Sequence, residues 1–226
     1  MKSYFISGTD TDVGKTYVMS GLAAAFRKMD IDIGVMKPFA AGTEQKSGFK
    51  SEDIQILAKA AQVNDPEQLL NPQFFSIPAS PFTASKNLGV RVDVNLILDS
   101  FKKLSNMHDM LLVEGMGGIM TPILKDYFVT DLIKAMNLET IIITRSRIGT
   151  VNHTIMTCNM CKQYGIKITG IVINNFDSGY SPHELQRDLE EITDVKVLGI
   201  IPYIEKITID KMMRHVEENI DLKLLI

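Results

Sequence analysis

Gly8-Thr9-Asp10-Thr11-Asp12-Val13-Gly14-Lys15-Thr16 follows the apolar run Tyr4-Phe5-Ile6 and opens a segment of helical period at 14–28. A glycine-containing turn between a buried strand and a helix is typical of a loop that binds phosphate through its backbone amides. Lys15 can reach the β- and γ-phosphates of a nucleotide, and the Thr16 hydroxyl can ligate Mg²⁺. Five residues separate Gly8 from Gly14, one more than in the usual pattern. The sequence therefore predicts a phosphate-binding loop in a strand–helix unit.

Short apolar runs alternate with helical segments along the rest of the chain. The runs are continuous, which favours strands buried on both faces: Ile33-Gly34-Val35-Met36, Met110-Leu111-Leu112-Val113, Ile141-Ile142-Ile143, Ile171-Val172-Ile173 and Val197-Leu198-Gly199-Ile200-Ile201. The helical segments lie at 14–28, 51–62, 93–105, 129–136, 150–164, 182–192 and 208–218. This alternation predicts one P-loop NTPase-like α/β domain over 1–226, with a mostly parallel sheet flanked by helices on both faces. Residues 38–50 and 70–92 are predicted to be loops.

Composition excludes several classes of protein. Hydrophobic residues make up 45% and charged residues 23% of the 226 residues, as in an ordinary globular chain. A net charge of -3 argues against bulk binding to nucleic acid or to an anionic membrane. Two cysteines exclude a disulfide-dense scaffold, and no apolar run approaches the ~18 residues of a membrane span. Because the N-terminus lacks the features of a signal peptide, we expect a cytoplasmic protein.

Polar residues follow the predicted strands, where ligands of parallel sheets bind. Lys37 follows the second run and would bring a second cation to the phosphate site. Asp53 lies at the start of a helix, and Glu114 ends the third run just before Gly115-Met116-Gly117-Gly118. A carboxylate beside glycines suits a Mg²⁺ ligand where the backbone approaches a bound molecule closely.

These residues together resemble the dethiobiotin synthetases of biotin biosynthesis over nearly the whole chain. The matching motifs are residues 8–16, Lys37-Pro38, Asp53, Val113-Glu114-Gly115-Met116-Gly117-Gly118, Gly149-Thr150-Val151-Asn152-His153, Val172-Ile173-Asn174-Asn175 and Gly199-Ile200-Ile201-Pro202. The resemblance implies an enzyme that joins CO₂ to 7,8-diaminopelargonate with MgATP. An amine forms a carbamate, the γ-phosphate activates it, and the second amine closes the cyclic urea.

The resemblance also implies roles for individual residues. Lys37 and Lys15 would be catalytic, and Thr16, Asp53 and Glu114 would ligate Mg²⁺. Asn174 would read the adenine edge, while the segment Pro202-Tyr203-Ile204 would line the base. The complete set expected to bind nucleotide comprises Asp12, Val13, Gly14, Lys15, Thr16, Tyr17, Asp53, Glu114, Gly115, Met116, Gly117, Asn174, Asn175, Pro202, Tyr203 and Ile204.

The resemblance further implies a homodimer whose substrate site lies between subunits. The partner's helix that begins near Gly149 would bind the substrate carboxylate through its free amides. The residues expected to contact substrate are Thr11, Lys37, Ala41, Gly149, Thr150, Val151 and Asn152. Ala41 departs from the family pattern, which usually has a small hydroxyl residue there; Thr43 is a possible substitute.

Two other functions remain open at this stage. One is a partner-regulated switch ATPase of the same fold, although position 10 is Asp where partitioning ATPases typically have a second Lys. The other is a related amide- or urea-forming ligase with a different acid or amine. Cys158 and Cys161 have the spacing of a redox or zinc motif, but they lie inside a predicted helix, so we interpret them as core residues.

Overall fold

The computed structural model describes residues 2–175 and 180–226 of the chain. Its strands are β1 (Tyr4–Gly8), β2 (Ile33–Met36), β3 (Phe39–Ala41), β4 (Gln73–Phe75), β5 (Met110–Gly118), β6 (Pro122–Leu124), β7 (Tyr127–Phe128), β8 (Glu139–Arg145), β9 (Ile168–Asn174) and β10 (Val197–Ile201). Six of them form a parallel sheet in the order β10-β9-β8-β1-β5-β2. The predicted apolar runs are therefore confirmed as the strands of one parallel sheet.

Helices follow the strands along the chain. They are α1 (Lys15–Lys28), α2 (Glu52–Ala61), α3 (Glu67–Leu70), α4 (Pro81–Leu88), α5 (Val94–Met107), α6 (Val129–Met136), α7 (Thr150–Tyr164), α8 (Pro182–Thr193) and α9 (Ile209–Asn219), with a 3₁₀ turn at Leu222–Leu225. Consecutive residues of β1 and β5 are buried, so both faces of the sheet are covered by helices. None of the helices in the described ranges is long and apolar enough to cross a membrane.

Close packing between α1 and α9 depends on a residue without a side chain. A Cβ atom added at Gly21 would lie 2.6 Å from Met212 Cγ and 2.8 Å from Val216 Cγ2. Met212 and Val216 are both buried against α1. The glycine therefore lets the C-terminal helix approach α1 directly and fixes the helix that follows the phosphate loop.

The segments predicted as loops contain regular structure. Residues 38–50 include β3, which pairs in parallel with β4 inside the segment 70–92. The second segment also contains α4, which Ser80 caps from its side chain and Gly89 ends at φ +64°. Ser80-Pro81 and Leu88-Gly89 are the start and stop of this two-turn helix. The loop prediction for 70–92 was therefore wrong over most of its length.

Within the described residues, five α-helices begin at a side-chain cap, whereas the two helices that face the predicted ligands begin at glycine. Ser51, Ser80, Asp93, Ser181 and Thr208 each accept a hydrogen bond from an amide in the first turn of their helix. Gly14 and Gly149 precede α1 and α7 with φ values of 90° and 93°, and neither supplies a side-chain cap. In α7 the Thr150 amide donates to the Arg147 carbonyl at 3.0 Å. The other first-turn amides of α1 and α7 are left for another acceptor, and an anion is the natural one.

Candidate functional site

The phosphate loop lies at the carboxyl edge of the sheet, between the end of β1 and the start of α1. Both of its glycines are required by close contacts. A Cβ at Gly8 would lie 2.7 Å from Val13 Cγ2 and 2.9 Å from Lys15 Nζ, and a Cβ at Gly14 would clash with the Asn174 amide. The backbone therefore curls tightly around Lys15, as a phosphate cradle requires.

Lys15 is buried at the floor of this loop, with 7% of its surface exposed. Its ammonium donates a hydrogen bond to the Asp10 carbonyl at 2.8 Å. Burial lowers the pKa of Lys15 to about 8, and the nearby carboxylate of Glu114 offsets only part of that shift. The ammonium is thus a desolvated cation whose charged form an incoming polyphosphate would stabilise.

Lys37 is a second buried lysine at this edge of the sheet. It follows β2, and its ammonium lies 2.5 Å from Glu114 Oε1 and 2.7 Å from Asp53 Oδ2. Burial alone would lower the pKa of Lys37, but the charges of Glu114 and Asp53 outweigh it and raise that pKa. Lys37 is therefore held in its charged form by two carboxylates from different elements.

The candidate metal ligands meet at the same point. The Thr16 hydroxyl donates to Glu114 Oε1 at 2.9 Å. Asp53 Oδ2 contacts the same Lys37 ammonium that contacts Glu114. The other carboxylate oxygen of Glu114 is buried and has no hydrogen-bond partner. An orphaned buried carboxylate oxygen beside a hydroxyl and a second carboxylate fits a hard cation such as Mg²⁺.

The donor set also fits a metal that is shared with a substrate. Among the described residues there is no cluster of three or more His, Cys, Asp or Glu side chains that could hold a metal ion alone. Mg²⁺ at nucleotide sites commonly takes one or two carboxylates and leaves its remaining positions to phosphate oxygens and water. Glu114, Asp53 and Thr16 match that pattern.

A cavity of about 460 Å³ opens above the loop, and most of the predicted site residues line it. Of the predicted residues, it is lined by Thr11, Asp12, Gly14, Lys15, Thr16, Tyr17, Lys37, Ala41, Asp53, Glu114, Gly115, Met116, Gly117 and Asn174. Its remaining lining residues, which the sequence analysis did not single out, are Glu52, Ile56, Arg145 and Ile207. Residues from the ends of β1, β2, β5, β8 and β9 thus surround one cavity at the edge where ligands of such sheets bind.

A second cavity, of about 350 Å³, lies between the phosphate loop and the start of α7. Its lining residues are Thr9, Asp10, Thr11, Val13, Arg145, Arg147, Ile148, Thr150 and His153. Thr11 and Arg145 line both cavities, so the two share a wall. The N-terminus of α7 therefore faces the outer side of the phosphate loop within a single subunit.

Of the residues predicted to hold the base, Asn174 lines the 460 Å³ cavity and the others do not. Asn174 donates to the Val13 carbonyl at 3.0 Å, and the Asn175 side chain accepts from Ser146 at 2.7 Å. Tyr203 is 60% exposed, whereas Ile204 is buried. Pro202, Tyr203, Ile204 and Asn175 are absent from the lining of that cavity. Their role toward the base stays a prediction.

Arg145 is a site residue that the sequence analysis missed. It ends β8, and its Nη1 atom donates to the Asp12 carbonyl at 2.9 Å. Asp12 has a φ of 54°, in the left-handed region that non-glycine residues rarely adopt. The rule that picked out Lys37 and Glu114, a polar residue at a strand end, would also have found Arg145.

The cysteine pair lies away from both cavities. Cys158 and Cys161 are fully buried in α7 as free thiols. Burial raises the pKa of the two thiols to about 11 and about 12. At neutral pH they are neutral, apolar-like side chains rather than nucleophiles.

Comparisons with known proteins identify the family. Residues 2–211 match the protein family described as "AAA domain". An ATP-dependent dethiobiotin synthetase BioD of Nitrosopumilus maritimus is 64% identical, with 100% of both chains covered. The enzyme of the same name from Bacillus licheniformis is 35% identical, covering 100% of this chain and 96% of its own.

A solved structure with the same fold is the septum site-determining protein MinD of Pyrococcus horikoshii, complexed with Mg-ADP. It superposes with a TM-score of 0.54 at 16% identity, over 94% of this chain and 86% of its own. That likeness shows a P-loop NTPase fold. The relatives that match over the full length of the chain identify the family within that fold. The chain belongs to the ATP-dependent dethiobiotin synthetase family.

Proposed function

We propose that the protein forms dethiobiotin from 7,8-diaminopelargonate, CO₂ and ATP, with release of ADP and phosphate. The observation that carries the proposal is the convergence of Lys15, Lys37, Asp53 and Glu114 on one cavity beside a phosphate loop. The 64% identity over the full length of the N. maritimus relative supports it. The reaction belongs to biotin biosynthesis, and we infer a cytoplasmic enzyme.

The chemistry requires anionic oxygens to approach each other. One amine of the substrate adds to CO₂, giving a carbamate and a proton. A carbamate oxygen attacks the γ-phosphorus and ADP leaves; the second amine then attacks the carbonyl carbon and phosphate leaves. In the phosphoryl-transfer step two anions must meet, so the site has to neutralise their repulsion before and during the transfer.

The residues of the cavity suit that task. Lys15, beneath the loop, would hold the β- and γ-phosphates in place of the Asp10 carbonyl. Lys37 would lie between the carbamate and the γ-phosphate, kept protonated by Glu114 and Asp53. Mg²⁺, bound by Thr16, Asp53 and Glu114, would neutralise phosphate charge. Because these groups are fixed by the fold, little reorganisation is needed when charge moves toward the leaving ADP.

We infer that a second subunit completes the binding site for the diamine. The free amides at the start of α7 suit the substrate carboxylate, and Arg147 and His153 line the same cavity. In a homodimer this helix start would serve the partner's phosphate loop, and Thr11, Lys37 and Ala41 would meet the diamine from the other side. Gly149, Thr150, Val151 and Asn152 form the turn in question.

Phosphate release from purified protein tests the reaction. With MgATP alone release should be slow, since water lacks the positioning of a bound carbamate. Diaminopelargonate and bicarbonate added together should accelerate release and yield one cyclic urea per ADP. Release that ignores the diamine and responds to DNA or to a protein partner would instead support a switch ATPase.

A mixing experiment tests the shared site. Gly149→Asp places a like charge where the substrate carboxylate binds, and Gly149→Asn is its uncharged control at the same backbone angle. The Asp variant should weaken the diamine far more than ATP, and the Asn variant much less. Random pairing of Gly149→Asp with Lys37→Ala subunits should restore roughly a quarter of wild-type activity, because half the dimers keep one complete site. No recovery despite subunit exchange would contradict the shared site.

A further inference from the structure

Four threonine hydroxyls form a connected network between the phosphate loop and α7. Thr144, at the end of β8, lies at its centre. Its Oγ1 atom is 2.6 Å from Thr150 Oγ1, 2.9 Å from Thr154 Oγ1 and 3.3 Å from Thr9 Oγ1. Thr144 and Thr154 are fully buried and Thr150 is 6% exposed. No water is needed to connect these groups, because each contact is direct.

The direction of each hydrogen bond follows from counting protons. A hydroxyl has one proton to donate, and Thr154 donates its proton to the Thr150 carbonyl at 2.7 Å. Thr154 must then accept from Thr144, which leaves Thr144 with no proton for its other two neighbours. Thr150 and Thr9 must both donate to the Thr144 oxygen. One hydroxyl therefore bonds to three others, which valine, of nearly the same shape, cannot do.

The network joins the two elements that form the two cavities. Thr9 is the second residue of the phosphate loop, and its amide also donates to the Ile143 carbonyl of β8 at 3.0 Å. Thr150 is the first residue of α7, directly after Gly149. The Thr150 amide is held by the Arg147 carbonyl at 3.0 Å, and the Thr144–Thr150 bond is a short, buried tie between the start of α7 and the sheet.

We propose that Thr144 is a positioning residue that holds the start of α7 in place against the sheet and the phosphate loop of its own subunit, and so fixes where that helix presents its amides to the carboxylate of a substrate at the partner's loop. The proposal rests on the proposed function for the identity of that carboxylate. Loss of the Thr144 hydroxyl should weaken the use of the diamine more than the use of ATP. The reason is that the contact to Thr9 is the longest of the three, and the Thr9 amide has its own bond to β8.

Thr144→Val is the decisive variant, since valine keeps the shape and removes the hydroxyl. The chain offers a matched control in Thr140→Val, four residues earlier on β8. Thr140 is also fully buried, but its hydroxyl has no hydrogen-bond partner. Thr144→Ser is the complement, because it keeps the hydroxyl and removes a methyl group. Steady-state kinetics, thermal unfolding and amide hydrogen exchange of the full-length protein are measured for all three.

In Thr144→Val we expect kcat/KM for the diamine to fall about tenfold, with a smaller change for ATP, since misplacement of a binding group raises the barrier. The His153 amide, which makes the first hydrogen bond of α7 to Gly149 at 3.1 Å, should exchange faster. Thr140→Val should match wild type in both respects. Thr144→Ser should match wild type kinetically and melt at a lower temperature.

Three outcomes of these measurements would overturn the proposed role of Thr144. Equal behaviour of Thr144→Val and Thr140→Val would overturn it, as would a change in melting temperature alone. A kinetic loss with unchanged exchange at His153 would also overturn it. If wild type forms no dethiobiotin, the proposed function fails, and the exchange comparison alone then decides the role of Thr144.

Discussion

Replacing the Lys37 ammonium with an uncharged side chain tests separately what this group contributes to stability and what it contributes to turnover. The ammonium is the buried partner of Glu114, whose side chain is 1% exposed, while Asp53 is 42% exposed and can turn to water. Breaking a buried ion pair from one side costs about 3–5 kcal/mol, and we expect the lower end because Thr16 still donates to Glu114. At this chain length that is a fall of roughly 6–12 °C in melting temperature.

Lys37→Met keeps the volume of the side chain and removes its charge. Turnover should fall by at least about 100-fold, with nucleotide binding little changed, as for a group that acts mainly on the transition state. The double variant Lys37→Met/Glu114→Gln should recover most of the lost stability, since no buried charge is left unpaired, but none of the activity. Calorimetry, nucleotide titration and phosphate release measure the three quantities.

Two outcomes would refute this reasoning. Near-normal turnover of Lys37→Met would remove the lysine from the chemistry. A double variant as unstable as Lys37→Met would show that the cost came from packing, and that the uncompensated charge of Glu114 was not its cause.

Three further predictions concern the metal, the thiols and the loop. Asp53→Asn and Glu114→Gln should each raise the Mg²⁺ concentration needed for half-maximal activity, and unchanged Mg²⁺ titrations in both would exclude them as ligands. Cys158 and Cys161, with pKa values raised by burial to about 11 and about 12, should react with a chromogenic disulfide at pH 8 only after denaturation; rapid labelling of the native protein would contradict their burial. Arg145→Met should raise the KM for ATP about tenfold, because the bond to the loop carbonyl is lost, and Arg145→Lys should recover part of that change; an unaltered KM in Arg145→Met would contradict the role.

Periodicity predicted the sheet because burial on both faces leaves a continuous apolar run, which few other structures produce. The same reasoning failed for α4, whose only buried side chains are Pro81 and Ala84. A helix that buries so little has no apolar stripe in its sequence, and its cap residues look like those of a turn. The three-residue strand β3 is likewise too short to show a period.

The candidate site was predictable as a set of residues but not as a set of contacts. Parallel strands end at one edge, so Lys37 and Glu114 could be placed near the loop from sequence. Which cation pairs with which carboxylate depends on side-chain direction and burial. The structure pairs Lys37 with both carboxylates and leaves Lys15 to the Asp10 carbonyl. Nothing in the spacing of these residues distinguishes that arrangement from its reverse.

That division of partners has a consequence for how the site accepts a highly charged nucleotide. A buried cation without a partner would be costly, so each lysine is stabilised by an oxygen that the protein itself supplies. The partner of Lys15 is a neutral carbonyl, which a phosphate oxygen can replace with a gain in attraction. The partners of Lys37 are carboxylates that are also the candidate metal ligands. We therefore expect Lys15 to contribute mainly to nucleotide affinity, and Lys37, tied to the metal ligands, to contribute mainly to turnover.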